Sequence, residues 1–362
     1  MLALTAWERC TLPGGPETKG ECVSSSNLET YLRSFQSDRE LHSFQEPIQS
    51  DLSRMQLLLR EFFKSRIPLI SEVGDHLLGM AGKRYRPALT LLISHLRGEP
   101  VRDPVFSAAV VELIHTATLV HDDTIDKSAL RRGMPTINSL YNDLVSTILG
   151  DYIYTKAFVD LIDRGEDPIL KVVARTTYQM SIGEMLQIQQ KRSLDLTEGE
   201  YMELVDAKTA SLMACSCEIG AILADCADAQ IESLRLFGME IGRAYQITDD
   251  IFDYVGDAGQ LGKYGLSDLA EGKVTLPLIR ALTICGGDQK ARVREILMAP
   301  DLSQGDWRFV LELLATTGAL EECRDAAHGF ARQALARLDA FSPSPHLDGL
   351  RRAVDYAVKR NH

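Results

Sequence analysis

Two acidic clusters with the same spacing stand out as chemistry-bearing. "HDDTID" sets Asp122, Asp123 and Asp126 at the end of an apolar run, and "YQITDDIFD" repeats the pattern with Asp249, Asp250 and Asp253. On a helix, residues four apart differ by about 40° in azimuth, so Asp122 stacks over Asp126 and Asp249 over Asp253. Stacked carboxylates repel and, where partly buried, raise one another's pKa. A hard cation resolves the conflict. Mg2+ takes oxygen ligands, commonly one or two carboxylates completed by waters and phosphate oxygens. Six carboxylates on two facing helix ends would hold several Mg2+ ions and leave positions open for a diphosphate. One such cluster alone reads as a solvated acidic face. Two copies, each ending an apolar segment near basic residues, read as a metal–phosphate site.

The basic residues fit that reading. "GKRYRP" supplies Lys83, Arg84 and Arg86; Arg131 and Arg132 follow the first acidic cluster; Lys263 and Lys273 follow the second. Lys208 interrupts an otherwise apolar helical stretch. Arginine reads phosphate with a two-pronged fork, whereas lysine acts as a point charge. Glycines at 256, 259, 262, 265 and 272 mark a loop suited to a water-excluding lid, or to a plain connection. His115 and His121 precede the carboxylates on a mostly apolar helix, where lone histidines are usually core or supporting groups. No GxSxG, P-loop or GxGxxG pattern is present, so nothing points to covalent catalysis or dinucleotide binding.

These residues need helices to carry them. Leu52, Met55, Leu58, Leu59, Phe62 and Phe63 recur at spacings of three and four. Similar runs cover 87–97, 104–127, 139–163, 168–191, 199–225, 229–255, 274–284, 289–298, 306–317, 319–340 and 346–360. Alternating β-branched residues are nearly absent. The expectation is an all-α protein: a single large helical bundle spanning 41–362, after a mobile tail at 1–40 marked by "LPGGPETKGECVSSS". Runs such as "VVELIHTATLV" are apolar on most faces and belong inside a bundle.

Composition narrows the partners. The 362 residues carry a net charge of −12 with no basic block, which argues against nucleic acid. The seven cysteines show no CxxC pair, as expected of free thiols in a reducing cytoplasm. No basic-then-apolar leader and no run of 18 apolar residues is seen, so neither a signal peptide nor a transmembrane segment is expected.

Taken together, "GKRYRP", "HDDTIDKSALRRGMPT", "GEMLQIQ", "KTASL", "YQITDDIFD" and "GKYGLSDLAEGKVTLPL" resemble, in order, the motifs of the trans-isoprenyl diphosphate synthase family over roughly residues 45 to 360. The resemblance implies an all-α bundle around a deep central cavity, usually a homodimer. It implies that Asp122, Asp123, Asp126, Asp249, Asp250 and Asp253 bind Mg2+ bridging an allylic diphosphate. Arg131, Lys208, Lys263 and Lys273 would help to hold that leaving group. Lys83, Arg86, His115 and Arg132 would hold isopentenyl diphosphate, and Thr209 and Gln246 would line the developing cation. The chemistry implied is ionisation of the allylic diphosphate, attack by the alkene of isopentenyl diphosphate, and loss of a proton.

In that family the residues before the first aspartate bear on product length. Short-chain members carry aromatic residues at the fourth and fifth positions upstream; this chain has Thr118 and Ala117. An isoprene unit is about as long as one helical turn, roughly 5 Å. Small residues in the wall therefore imply a long-chain product, above four isoprene units, and Ala117→Tyr is expected to shorten it. Tyr152, Tyr154 or Phe158 would close the cavity instead if they project into it. The alternatives are a geranylgeranyl or farnesyl diphosphate synthase and, more remotely, a class I terpene cyclase or a non-catalytic subunit. The second DDxxD and the intact aspartates speak against the last two.

Overall fold

Asp103 and Pro104 start the helix that carries the first acidic cluster. The Asp103 side chain accepts from the Val105 N–H at 3.1 Å, and Pro104 occupies the first turn, where a missing N–H loses no bond. The helix stops at Asp126, and Lys127 follows with φ of 54°, in the left-handed region that ends helices. A computed structural model describes residues 39–80, 82–255, 267–299 and 301–359. After a helical lead-in, its helices are α1 (Gln49–Phe62), α2 (Pro68–Gly79), α3 (Tyr85–Ser94), α4 (Pro104–Ile125), α5 (Ile137–Leu140), α6 (Asp143–Asp163), α7 (Asp167–Gln190) and α8 (Glu198–Val205). A π-turn at Asp206–Ala210 leads into α9 (Ser211–Leu223). Then come α10 (Asp228–Val255), α11 (Ser267–Ala270), α12 (Leu276–Ile284), α13 (Gly287–Met298), α14 (Gln304–Thr317), α15 (Ala319–Arg337) and α16 (Pro345–Lys359).

The all-α expectation holds. Among the described residues the sole sheet is a two-residue antiparallel pair, Leu130–Arg131 (β1) with Met134–Pro135 (β2), which folds the chain back after the first acidic cluster. Helix α2 was not expected from the sequence, and the expected run 199–225 is broken into α8, the π-turn and α9.

Helix α10 lies along α9 and α15, α4 packs on α3 and α6, and α9 packs on α3 and α7. One core gathers Phe44, Leu89, Leu92, Ala108, Met213, Phe237 and Leu350; a second gathers Tyr254, Leu276, Leu278, Val310 and Leu314. A third joins α4, α6, α7 and α9 through Val110, Ile114, Ala157, Val173 and Ile219. Fully burying such a side chain is worth about 1.5–3 kcal/mol, so these layers fix the helices against one another. Helix α4 is long and apolar enough by length and composition to cross a membrane, but 67% of its apolar window is buried against its neighbours. Two apolar stripes stay exposed: Leu144, Ile148, Val159 and Ile162 on α6, and Tyr178, Ile182, Met185 and Ile188 on α7. Cys215, Cys217, Cys226, Cys285 and Cys323 are free thiols.

Candidate active site

The C-terminal end of a helix carries partial negative charge, and carboxylates there are unfavourable unless cations offset them. Both acidic clusters occupy such ends: Asp122–Asp126 the last turn of α4, Asp249–Asp253 the end of α10. They face each other across a cavity of about 620 Å³ bounded by α4, α6, α7, α8, the π-turn, α10 and the segment from Asp268 to Thr275.

Asp122 and Asp126 line this cavity from one wall, Asp249 and Asp250 from the other. The cations stand between. Lys208 Nζ lies 2.5 Å from Glu184 and 3.6 Å from Asp122, and donates to Gln187 at 3.1 Å. Lys273 Nζ lies 2.5 Å from Glu271, 3.4 Å from Asp126 and 3.8 Å from Asp268. Burial pushes Asp122 up to about 6; Lys208 opposes the shift, and Glu184 and Asp126 add to it. Asp268 rises to about 7 through burial and the neighbouring Asp253 charge. Burial lowers the Lys273 pKa, but Glu271, Asp268 and Asp126 outweigh it and hold the ammonium charged.

The second aspartate of each cluster is held by protein partners. Asp123 is buried, and the Arg131 Nε contacts its two oxygens at 2.9 and 2.8 Å. Asp250 is buried at the cavity edge, accepting from Tyr201 at 2.6 Å on one oxygen and from the Gln246 amide at 2.7 Å on the other. Burial drives its pKa well up. Asp250 nonetheless lines the cavity beside Asp249, whereas Asp123, about 100° round the helix from Asp122, is not part of its lining. Asp253 accepts the Asp268 N–H at 3.2 Å and so anchors the start of α11.

The remaining expected residues divide. Thr209 donates to the Gln246 carbonyl oxygen at 2.8 Å, and both line the cavity. Arg86 and His115 line it too, 3.2 Å apart. Burial, reinforced by Arg86 and Arg132, holds His115 well below the usual imidazole range. Arg132 donates to the Met80 carbonyl at 2.9 Å and borders a small adjoining pocket of about 40 Å³ with Arg84, His115 and Asp123. Lys83 lies apart from the cavity lining, its ammonium 5.5 Å over the Tyr356 ring. Lys263 and the loop glycines at 256, 259, 262 and 265 lie outside the described residues, as does most of the expected N-terminal tail; Gly272 is described, with φ of 79°. Thr118 is on the cavity wall, and Ala117 is fully buried in the core. Tyr154 does reach the cavity, stacked on His121 at 5.9 Å; Tyr152 packs on Phe62 instead, and Phe158 packs on the third core.

Sequence reasoning assigned no role to Glu184, Gln187, Tyr201 or Asp268. Glu184 and Gln187 sit in "GEMLQIQ" three apart, on one helical edge, which is the signal that was available. Asp268 is an isolated carboxylate in "GLSDL" and carries no such signal.

Among the described residues, no three carboxylate, imidazole or thiol side chains converge tightly enough to hold a metal ion alone. The carboxylates are instead shared between two walls. That donor set suits Mg2+, which takes the rest of its shell from phosphate oxygens and water. Asp122, Asp126, Asp249, Asp250 and Asp268, which line the cavity, are the residues that would hold it.

The description of the matching family model is polyprenyl synthetase, and the match covers residues 67–314. The chain belongs to the polyprenyl synthetase family. It is a prenyltransferase, as its motifs imply. It is 36% identical to an all-trans-nonaprenyl-diphosphate synthase (geranyl-diphosphate specific) of Rhodobacter capsulatus, over 87% of this chain and 96% of that protein. The structure of a decaprenyl diphosphate synthase from the same organism superposes with a TM-score of 0.84 at 34% identity, covering 90% of this chain and 99% of the other. A polyprenyl synthase from Caulobacter crescentus, complexed with calcium and isoprenyl diphosphate, gives a TM-score of 0.83 at 32% identity over 89% and 98%. The all-α polyprenyl synthetase fold is thus common to these chains.

Proposed function

We propose that this chain condenses isopentenyl diphosphate with an allylic diphosphate, head to tail and with Mg2+, and repeats the step to make a long all-trans-polyprenyl diphosphate. The observation that carries the reading is the cavity with two acidic helix ends on opposite walls and Lys208 and Lys273 set between them. Bound Mg2+ would supply charge neutralisation for the diphosphate leaving group.

The chain's own residues do the rest. Lys208 and Lys273 stabilise charge as it grows on the departing diphosphate, in a site already ordered for it. Thr209 spends its proton on Gln246, which leaves its oxygen lone pairs for the allylic cation. Arg86 and neutral His115 orient isopentenyl diphosphate beside it. The proton released from the adduct goes to the departing diphosphate. Closure against water matters because water would trap the cation.

A long product fits the non-aromatic Thr118 on the wall and the nonaprenyl and decaprenyl names of the relatives. A second reading, a geranylgeranyl diphosphate synthase, is favoured by one observation: Tyr154 lines the same cavity. The exposed stripes on α6 and α7 support a homodimer. Incubation with labelled isopentenyl diphosphate, Mg2+ and each allylic primer, followed by product sizing, separates the two. Products beyond four isoprene units support the first reading; products stopping at four support the second; no elongation refutes both.

A further inference from the structure

Lys208 and Thr209, adjacent in sequence, both face the cavity, and both sit in the π-turn Asp206–Ala210. In an α-helix neighbours point about 100° apart; a π-turn adds a residue to the ring and redirects the next residues, usually at a stability cost. Something must hold it. Two glycines abut it on either side. A Cβ on Gly183 of α7 would lie 2.8 Å from the Lys208 backbone nitrogen, and one on Gly242 of α10 would lie 2.6 Å from the Ala210 Cα. Neighbouring helices therefore press on the turn backbone to backbone.

The end of the turn away from the glycine contact at Ala210 has a polar anchor. Arg243 Nε and Nη2 donate to the two oxygens of Asp206, each at 2.6 Å. The guanidinium also sits 5.4 Å over the Phe330 ring of α15. Gln246, one helical turn on from Arg243, takes the Thr209 hydroxyl at 2.8 Å. Helix α10 thus grips the first and the fourth residue of the turn, and Lys208 lies between the two grips. Neither Asp206 nor Arg243 lines the cavity.

We propose that Asp206 and Arg243 are a positioning pair: their fork holds the π-turn, and through it sets Lys208 against Asp122 and Glu184 and Thr209 against Gln246. With the side chains 28% and 30% exposed, the fork taken as a bare ion pair adds little to stability. Its effect falls on the geometry of the reacting groups, and the inference rests on the prenyl-transfer reading.

The test uses the full chain, with Arg243→Gln, Asp206→Asn and the reversed pair Asp206→Arg/Arg243→Asp. Hydrogen exchange of the 206–211 amides and steady-state kinetics are both read. Each single variant should speed exchange at 206–211 and lower kcat about tenfold with KM for isopentenyl diphosphate within about twofold, since small misplacements of reacting groups act on kcat. The reversed pair should recover most of both. Unchanged exchange in Arg243→Gln overturns the clamp. Faster exchange with unaltered kcat overturns its positioning role, and so does a joint fall of kcat, affinity and melting temperature. Lack of elongation by the parent protein strikes the prenyl-transfer reading alone, because exchange still judges the clamp.

Discussion

Lys273 stands 3.4 Å from Asp126, so a cation that follows the second acidic cluster in sequence closes onto the first cluster in space. The two halves of the site are joined by that contact before any ligand arrives. Asp268 and Glu271 crowd the same ammonium from its own segment.

Lys273→Ala is expected to lower kcat/KM by about 100-fold, the scale seen when one donor to developing negative charge is removed. Steady-state kinetics with excess Mg2+ measures it. A loss of less than about threefold would mean that Lys273 only balances carboxylates in the free protein.

Asp122 and Asp123 should part company in a metal titration. Asp122→Asn removes a cavity-facing oxygen and should raise the Mg2+ concentration for half-maximal rate by about tenfold. Asp123→Asn breaks the Arg131 fork, so it should lower the rate while leaving that concentration nearly unchanged. Identical shifts in both variants would restore Asp123 to the metal.

The raised carboxylates predict a pH dependence with a definite sign. Between their usual 3.8 and the shifted values of about 6 for Asp122 and about 7 for Asp268, the folded protein holds protons that the unfolded chain has released. These groups therefore favour folding at low pH, and that contribution is lost as pH rises through about 6 to 7. A cation that pairs with the ionised forms works in the opposite direction. The rise in melting temperature given by Mg2+ should be small near pH 5 and larger near pH 8; a flat profile across that range would contradict the assignment.

Thr118→Tyr should shorten the product, because Thr118 is on the cavity wall. Ala117→Tyr should instead overpack the core, lowering stability by about 1–3 kcal/mol or more. Product sizing and thermal melts on both variants decide it. Shortening by Ala117→Tyr without destabilisation would reverse the placement of the two.

The helices and the cavity-facing acids were legible because apolar residues and carboxylates recur at spacings that helical geometry reads directly. The finer facing was not. Asp123 and Asp250 were counted with their neighbours as one broad face, yet Asp250 lines the cavity and Asp123 does not. Ala117 and Thr118 are separated by one helical step of about 100°, and only the packing of α6 and α7 says which one meets the cavity. The π-turn was not legible in "DAKTA", since Gly183, Gly242 and Arg243, which meet it, lie on two other helices. Asp268 acquires meaning only when the chain brings it beside Asp253 and Lys273.

His115, Thr118, Leu119, Asp122 and Asp126 follow one edge of α4 into the cavity, on a helix with no break between them. On the long-chain reading proposed above, that edge would serve as a ruler whose zero is the carboxylate pair. Each turn away from the zero would add about 5.4 Å of reach. A change one turn down would then re-mark the length scale without moving the zero, so product length could drift under selection while the ionising end stays fixed.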